Sequence, residues 1–260
     1  MLLAQLGALR RAVDAGQVRL VLGSSSPRRR EALSALLGVA DGTAPGARGS
    51  PADEAPLFTV LASTFDEKLP HSDYATPAEY CMATAREKAK DVCAKLEARD
   101  RAPEAPPTTE AAGGGKRRRR SPRTLVVAAD TICAQGGRIL EKPATPEDAA
   151  AMLRSLSGAH HECHTCVLLY EMPGATETFA FTTTTRVRFG DLSEEEIRAY
   201  VATGEPMDKA GAYGIQGKGR ALVESVEGDF FNVVGFPARD FAVRFSDRLS
   251  EVLRAAEEDR

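Results

Sequence analysis

Short apolar runs alternate with helix-like segments along most of this chain, and this alternation constrains the fold more than any other feature. Residues 18–23 and 125–129 are strand-sized apolar runs that end in polar residues. Residues 28–37 and 145–156 have the length and periodicity of helices. Strands that alternate with helices favour an α/β fold, and short hairpins between later strands add antiparallel pairs. The sequence therefore predicts an α/β domain with a mixed central β-sheet.

The same patterns predict the other elements. A helix start is indicated by Thr76, Pro77 and Glu79. The side chains of Thr76 and Glu79 can accept hydrogen bonds from N–H groups of the first helical turn, and Pro77 lacks the N–H that would be unpaired there. We also predict helices at residues 1–16, 76–96, 193–203 and 240–259, strands at 57–63, 162–170, 179–189, 222–227 and 232–234, and a loop at 38–56.

Residues 97–123 differ in composition from the rest of the chain. They contain proline- and threonine-rich pieces, three glycines at 113–115 and a basic run at 116–120. Too few of them are apolar to offset the entropy lost on ordering. We therefore predict a disordered insertion in a single domain of residues 1–260, whose core lies at about 18–245. The basic run is a solvated linker or, alternatively, a nuclear-localisation or nucleic-acid patch.

The charge balance limits what the surface can bind. The 260 residues include 34 basic and 37 acidic ones, for a net charge of -3. Such a chain lacks an overall basic footprint for nucleic acid, and no apolar run is long enough to span a bilayer. Phosphate groups must therefore be bound by locally placed cations, and we expect no nucleic-acid and no membrane partner.

Five cysteines are spread through the chain. This odd number is typical of a reducing compartment rather than of a disulfide framework, so we expect a cytoplasmic protein. Arg10 and Arg11 lie in an opening segment without acidic residues, so a mitochondrial presequence is an alternative. The basic run at 116–120 makes nuclear targeting a second alternative. Cys163 and Cys166 form a Cys-x-x-Cys sequence beside histidines, but on a strand they point to opposite faces, so we do not expect a zinc site there.

The turn at residues 23–30, Gly-Ser-Ser-Ser-Pro-Arg-Arg-Arg, joins a strand to a helix. A helix N-terminus presents free N–H groups and a partial positive charge, which favour a bound anion. Ser24 adds a hydroxyl donor, and Arg28 and Arg29 add guanidinium groups that match phosphate. Arginines at a helix N-terminus oppose the helix dipole, which favours an anion among them. A capped helix with a solvated basic turn is the alternative.

Two further segments carry reactive groups. Asp130 follows the buried run 125–129, at the strand end where α/β sheets place ligands, and it could hold Mg²⁺ or accept a proton from water. In the glycine-containing stretch 205–216, Lys209 offers a cation and Gln216 an amide that can read a base edge. A turn aspartate and a structural glycine loop are the alternatives.

These segments together resemble the Maf family. Residues 22–29 resemble its opening signature, leucine-alanine-serine-any-serine-proline-arginine-arginine, with Gly23 in place of alanine. The other similar blocks follow in the family's order at residues 85–89, 129–131, 137–143, 152–158, 205–217 and 232–237.

The resemblance implies an elongated, two-lobed body with a nucleotide-binding cleft, similar to the Ham1 and ITPase folds, and often a homodimer. It implies hydrolysis of a nucleoside triphosphate to the monophosphate and pyrophosphate with a divalent metal. Asp130 matches the proton acceptor, and Arg28, Thr131 and Gln216 match positions that are linked to substrate choice in the dTTP/UTP branch. The positions that fall on the family's cleft are Ser24, Arg29, Glu67, Lys88, Lys142 and Lys209.

The mechanism that we expect uses Asp130, Glu67, Lys88 and Lys142 as catalytic groups. Glu67 and Asp130 would hold Mg²⁺, with Mn²⁺ or Co²⁺ as alternatives. The arginines and lysines would spread positive charge over the triphosphate. The alternative is a Maf-like protein that senses nucleotides without turnover, but an intact Asp130 favours an enzyme.

Overall fold

A mixed β-sheet runs through the described part of the chain. The computed structural model describes residues 2–38, 56–101 and 122–258. The strands are β1 (Val18–Leu22), β2 (Thr59–Val60), β3 (Arg123–Gln135), β4 (Arg138–Leu140), β5 (His160–Met172), β6 (Thr176–Phe189) and β7 (Val223–Glu227). They are ordered β2-β1-β3-β5-β6-β7, with β4 on the far half of β3. β1 is parallel to β2 and β3, whereas the other pairs are antiparallel.

Helices cover both faces of this sheet. They are α1 (Leu2–Asp14), α2 (Pro27–Leu37), α3 (Pro77–Arg101), α4 (Pro146–Leu156), α5 (Glu194–Val201), α6 (Phe230–Val234) and α7 (Ala238–Glu258). The segment between α5 and β7 contains the 3₁₀ turns Glu205–Asp208, Ala210–Ala212 and Lys218–Leu222. None of the described helices is both long and apolar enough to cross a membrane.

The apolar side chains form three clusters that divide the body into two lobes. In the first lobe, α1, α2 and α7 pack on one face of the sheet around Phe241 and Phe245, and α3 packs on the other face. In the second lobe, α4, α5 and the 3₁₀ turns pack around Phe189 and the far ends of β3, β5 and β6. Burial of each such phenylalanine stabilises the fold by roughly 1.5–3 kcal/mol. The predicted mixed sheet and two-lobed body are thus confirmed.

Most predicted elements are present, with differences at their ends. The predicted cap of α3 is confirmed: the Glu79 N–H donates to Thr76 Oγ1 and the Thr76 N–H donates to Glu79 Oε2, both at 3.2 Å. The predicted strand at 57–63 is reduced to the two residues of β2. The predicted loop at 38–56 lies almost wholly outside the described residues.

The predicted start of the insertion, at residue 97, is wrong. Residues 97–101 continue α3, where Arg101 and Glu97 form an ion pair one helical turn apart, with 3.0 Å between Nη2 and Oε2. At its other end, Arg123 is the first residue of β3. The part at 102–121, which includes the basic run, lies outside the described residues.

The predicted strand at 232–234 is also wrong, because this segment belongs to helix α6. Asp229 caps α6 by accepting from the N–H of Phe231 at 2.8 Å, and Gly235 ends it with a φ of 113°, a conformation that glycine adopts without strain. Asn232 is fully buried, and its amide donates to Cys163 O and Thr185 Oγ1, both at 2.9 Å. These contacts fix α6 against the far half of the sheet.

Candidate active site

Asp130 lies inside β3 rather than at its end, so the predicted end of the strand is wrong. The strand continues because Ile132 and Cys133 are buried and pair with β5. The parallel neighbour β1 ends at Leu22, which lies opposite Val127. Asp130 therefore lies three residues beyond the carboxyl end of β1, at the edge where α/β sheets bind ligands.

The turn between β1 and α2 lies next to this aspartate. The Gly23 N–H donates to Val127 O at 2.7 Å, which holds the turn against β3. Ser26 caps α2 through its side chain, and Pro27 occupies the first turn of the helix. Ser24 is buried, and its hydroxyl accepts from the Ser26 N–H at 3.2 Å. The N-terminus of α2 thus opens into the space beside Asp130, in an arrangement that favours an anion.

The Arg29 guanidinium makes its hydrogen bonds within the protein. It donates to Gly235 O at 3.1 Å, Ala129 O at 2.9 Å, Thr131 Oγ1 at 2.8 Å and Ser24 Oγ at 3.3 Å. Burial lowers the pKa of Arg29, and nearby Asp130 opposes that shift. Arg29 therefore ties the β1–α2 turn to β3 and α6, which leaves it less free to bind phosphate than the sequence predicts.

Lys88, which lies on α3, joins two carboxylates. Its Nζ lies 2.7 Å from Asp130 Oδ1 and 2.8 Å from Glu67 Oε1. The side chains of Asp130 and Lys88 are only 7% and 12% exposed, whereas that of Glu67 is 47% exposed. The structure thus brings together three of the four residues that the sequence predicts as catalytic.

A cavity of about 350 Å³ contains these groups and lies between the two lobes. Its wall also includes Arg28, Thr131 and Lys142. Lys142, the fourth residue predicted as catalytic, is exposed and forms no ion pair with the described residues. The cavity therefore combines a helix N-terminus and five cationic side chains with three carboxylates, and this excess of positive charge suits a polyanionic ligand.

The opposite wall comes from the 3₁₀ turns of the second lobe. Lys209 lines it, and its Nζ donates to Glu205 O at 2.7 Å and lies 2.5 Å from Asp208 Oδ1. Gln216 is exposed and does not line the cavity, whereas its neighbour Ile215 is buried and does. The structure thus places Lys209 in the wall of the cavity and Gln216 outside that wall, at the rim beside Ile215.

Sequence reasoning missed a pair of cysteines in the same cavity. Cys133 on β3 and Cys163 on β5 are direct cross-strand partners that line it, with 3.3 Å between their sulfurs. The hydrogen bond between the two sulfurs lowers the pKa of Cys163 and raises that of Cys133, and His161 and Tyr213 lower the pKa of Cys163 further. Only the register of β3 and β5 brings them together. All five cysteines are free and buried.

Taken together, these features define an α/β protein with a cavity, lined by cations and carboxylates, at the carboxyl end of β1. The chain belongs to the Maf-like protein family, whose model matches residues 19–247.

Its relatives include proteins whose names contain the activity dTTP/UTP pyrophosphatase. The dTTP/UTP pyrophosphatase of Methylobacillus flagellatus is 37% identical over 225 residues, which cover 86% of this chain and 90% of that protein. That of Moorella thermoacetica is 40% identical over 219 residues, 84% of this chain and 89% of that protein. The probable bifunctional dTTP/UTP pyrophosphatase/methyltransferase protein of Homo sapiens is 42% identical over 229 residues. This match covers 86% of the present chain but only 31% of the human protein.

Among solved structures, the nucleoside-triphosphatase (dITP/XTP pyrophosphatase) of Mycobacterium abscessus aligns with 90% of this chain and 97% of its own. The sequence identity is 13% and the TM-score is 0.37.

Proposed function

We propose that this protein is a nucleoside-triphosphate pyrophosphatase that hydrolyses dTTP and UTP to the monophosphate and pyrophosphate. The observation that carries the proposal is the contact of Lys88 with both Asp130 and Glu67, beside the anion-binding turn. Relatives that this chain matches over most of their own length are named dTTP/UTP pyrophosphatase, which supports the same activity.

The reaction breaks the bond between the α-phosphorus and the oxygen that bridges to the β-phosphate, and water supplies the new oxygen. Asp130 orients this water and accepts its proton. Lys88 holds Asp130 in place and adds positive charge next to the reacting phosphate. The α2 N-terminus and Arg28 bind the phosphate chain, and Lys142 and Lys209 neutralise the departing pyrophosphate.

Asp130 and Glu67 fit the predicted divalent metal. Carboxylate oxygens are ligands that Mg²⁺ prefers, and Mg²⁺ is commonly bound by one or two carboxylates together with substrate phosphates. Glu67 is half-exposed towards the cavity, so one of its oxygens is accessible. When bound, Mg²⁺ (or Mn²⁺ or Co²⁺) would neutralise charge on the phosphate oxygens.

Discrimination between bases involves Arg28, Thr131 and Gln216 in this proposal. Thr131 is held by Arg29 and contacts Thr165 Oγ1 at 3.0 Å, so its position is fixed. Gln216 would reach the base from the rim after nucleotide binds.

A homodimer and a cytoplasmic location remain predictions.

Pyrophosphate release from a panel of nucleoside triphosphates, with and without Mg²⁺, tests the function. We expect Mg²⁺-dependent release that is fastest with dTTP and UTP. Calorimetric binding of UTP without any release of pyrophosphate would instead support the nucleotide sensor.

A further inference from the structure

Three metal-binding side chains meet at the inner wall of the cavity, away from Asp130 and Glu67. Cys133 and Cys163 lie opposite each other on β3 and β5, and His161 lies two residues before Cys163 on the same face of β5. Both sulfurs and a ring nitrogen of His161 lie within 4.8 Å of one another. The three residues are at most 5% exposed.

The imidazole of His161 has an unused nitrogen in this cluster. Nε2 lies 2.9 Å from the hydroxyl of Tyr213, whereas Nδ1 is buried and has no hydrogen-bond partner among the described residues. A buried polar atom without a partner costs about 1–3 kcal/mol. Three small apolar side chains would fill this space without that cost, so simple packing does not account for the histidine.

The geometry suits a tetrahedral ion with sulfur and nitrogen ligands. Zn–S bonds of about 2.3 Å at tetrahedral angles put two sulfurs about 3.8 Å apart. The sulfurs of Cys133 and Cys163 lie 3.3 Å apart, so a small rotation of each side chain would admit the ion. The hydroxyl of Tyr213 contacts both His161 and Cys163, at 2.9 and 3.5 Å, and can orient these ligands.

We propose that Cys133, Cys163 and His161 bind one Zn²⁺ ion at the inner wall of the cavity. Two of the ligands line the cavity, so the fourth position of the ion faces it and is open to water or to a group of the bound nucleotide. Thiolate and imidazole ligands select zinc, whereas the carboxylates of Asp130 and Glu67 select magnesium. The two sites therefore discriminate between metals by ligand type.

Cobalt titration of the full-length, reduced and metal-free protein tests this site. Co²⁺ is the probe, and excess Mg²⁺ occupies the carboxylates. We expect one equivalent of Co²⁺ to give a sulfur-to-cobalt charge-transfer band and tetrahedral d–d bands, and stoichiometric Zn²⁺ to remove both.

Variants assign the ligands. Cys133→Ser and Cys163→Ser should each abolish tight binding, and His161→Gln should weaken it by at least about tenfold, because even outer partners of metal ligands contribute 10–100-fold. Cys166→Ser is the matched control, since Cys166 is buried on the same strand but belongs to the opposite cluster. It should bind as the unmodified protein does, and circular dichroism verifies that each variant folds.

X-ray absorption of the zinc-loaded, unmodified protein provides a measurement that needs no variant. Two sulfur neighbours at about 2.3 Å are expected. A shell of oxygen and nitrogen alone, or cobalt bands that survive in both cysteine variants, would overturn the proposal. A Cys133–Cys163 disulfide in air, without metal binding by the reduced protein, would overturn it too and identify a redox pair.

Discussion

Lys88 Nζ lies 2.7 Å from Asp130 Oδ1, and this contact joins α3 to the middle of β3. The aspartate is nearly buried, and the lysine also contacts Glu67. A carboxylate that is held in this way can orient a water molecule without moving itself.

Asp130→Asn should abolish most turnover and retain the fold. The change keeps the shape of the side chain but removes the charge that accepts a proton, so we expect kcat to fall by about 10²-fold or more. Lys88 keeps Glu67 as a partner, which limits the structural damage. Asp100→Asn, at an exposed ion pair with Arg19, is the control and should leave kcat unchanged. Steady-state release of pyrophosphate measures both, and near-normal kcat in folded Asp130→Asn would refute the role of Asp130.

Arg28 and Arg29 should respond differently to lysine. Arg29→Lys cannot reach all four acceptors, so we expect the free energy of unfolding to fall by about 2 kcal/mol. Arg28→Lys should leave stability unchanged and raise KM for UTP about tenfold, because one charge-assisted phosphate contact is lost. Urea unfolding and steady-state kinetics distinguish the two. Equal stability of both variants would mean that the contacts of Arg29 contribute little.

Local sequence signals are sufficient to predict the turn between β1 and α2. Ser26 and Pro27 fix the start of α2 through their own backbone preferences, so no distant contact is needed. The end of β3 was harder to predict, because the polar pair at Asp130 and Thr131 interrupts an apolar pattern. That pair stays in the strand since β5 continues alongside it.

Long-range contacts could not be predicted from local patterns. Lys88 and Asp130 are 42 residues apart in sequence, and only the resemblance to a family identified the lysine. The neighbouring sulfurs of Cys133 and Cys163 depend on the strand register, which the residues alone do not specify. A short apolar run such as that of α6 fits either a strand or a helix, and the caps at Asp229 and Gly235 make this segment a helix.

The ion pair between Arg86 and Glu177 should make stability depend on pH. It joins α3 to β6 through two 3.0 Å hydrogen bonds. Arg86 holds the pKa of Glu177 below its ordinary value of 4.5, despite partial burial. The pair therefore stabilises the fold above about pH 4.5, and its contribution is lost as the pH falls through the lower pKa of the folded state.

Glu177→Gln tests this dependence. Because both side chains are partly exposed, we expect a loss of only about 0.5–1 kcal/mol at pH 7, which shrinks towards zero in acid. Glu224→Gln is the control and should have a smaller effect, because the carboxylate of Glu224, which pairs with Arg188, is more exposed than that of Glu177. Urea unfolding from pH 7 down to pH 3 gives the comparison, and a difference that grows in acid would contradict the assigned sign.

Base preference is the prediction that bears most directly on Gln216. Uracil and thymine present an N3–H donor between two carbonyl acceptors, and a glutamine amide can pair with both kinds of group. CTP has an amino group and an unprotonated N3, which reverse this pattern, so it should be a poor substrate. Buried hydrogen bonds left unpaired by the wrong base make such discrimination large.

Gln216→Glu should lower kcat/KM for UTP and reduce the ratio of UTP to CTP turnover by about tenfold or more, the equivalent of one lost hydrogen bond. The ratio does not depend on the amount of folded enzyme, so it is its own control. The exposed side chain must turn inward from the rim to read the base, because Ile215 and not Gln216 lines the cavity. If the ratio is unchanged in the variant, then the base is read by other groups, and the fixed hydroxyl of Thr131 is the next to test.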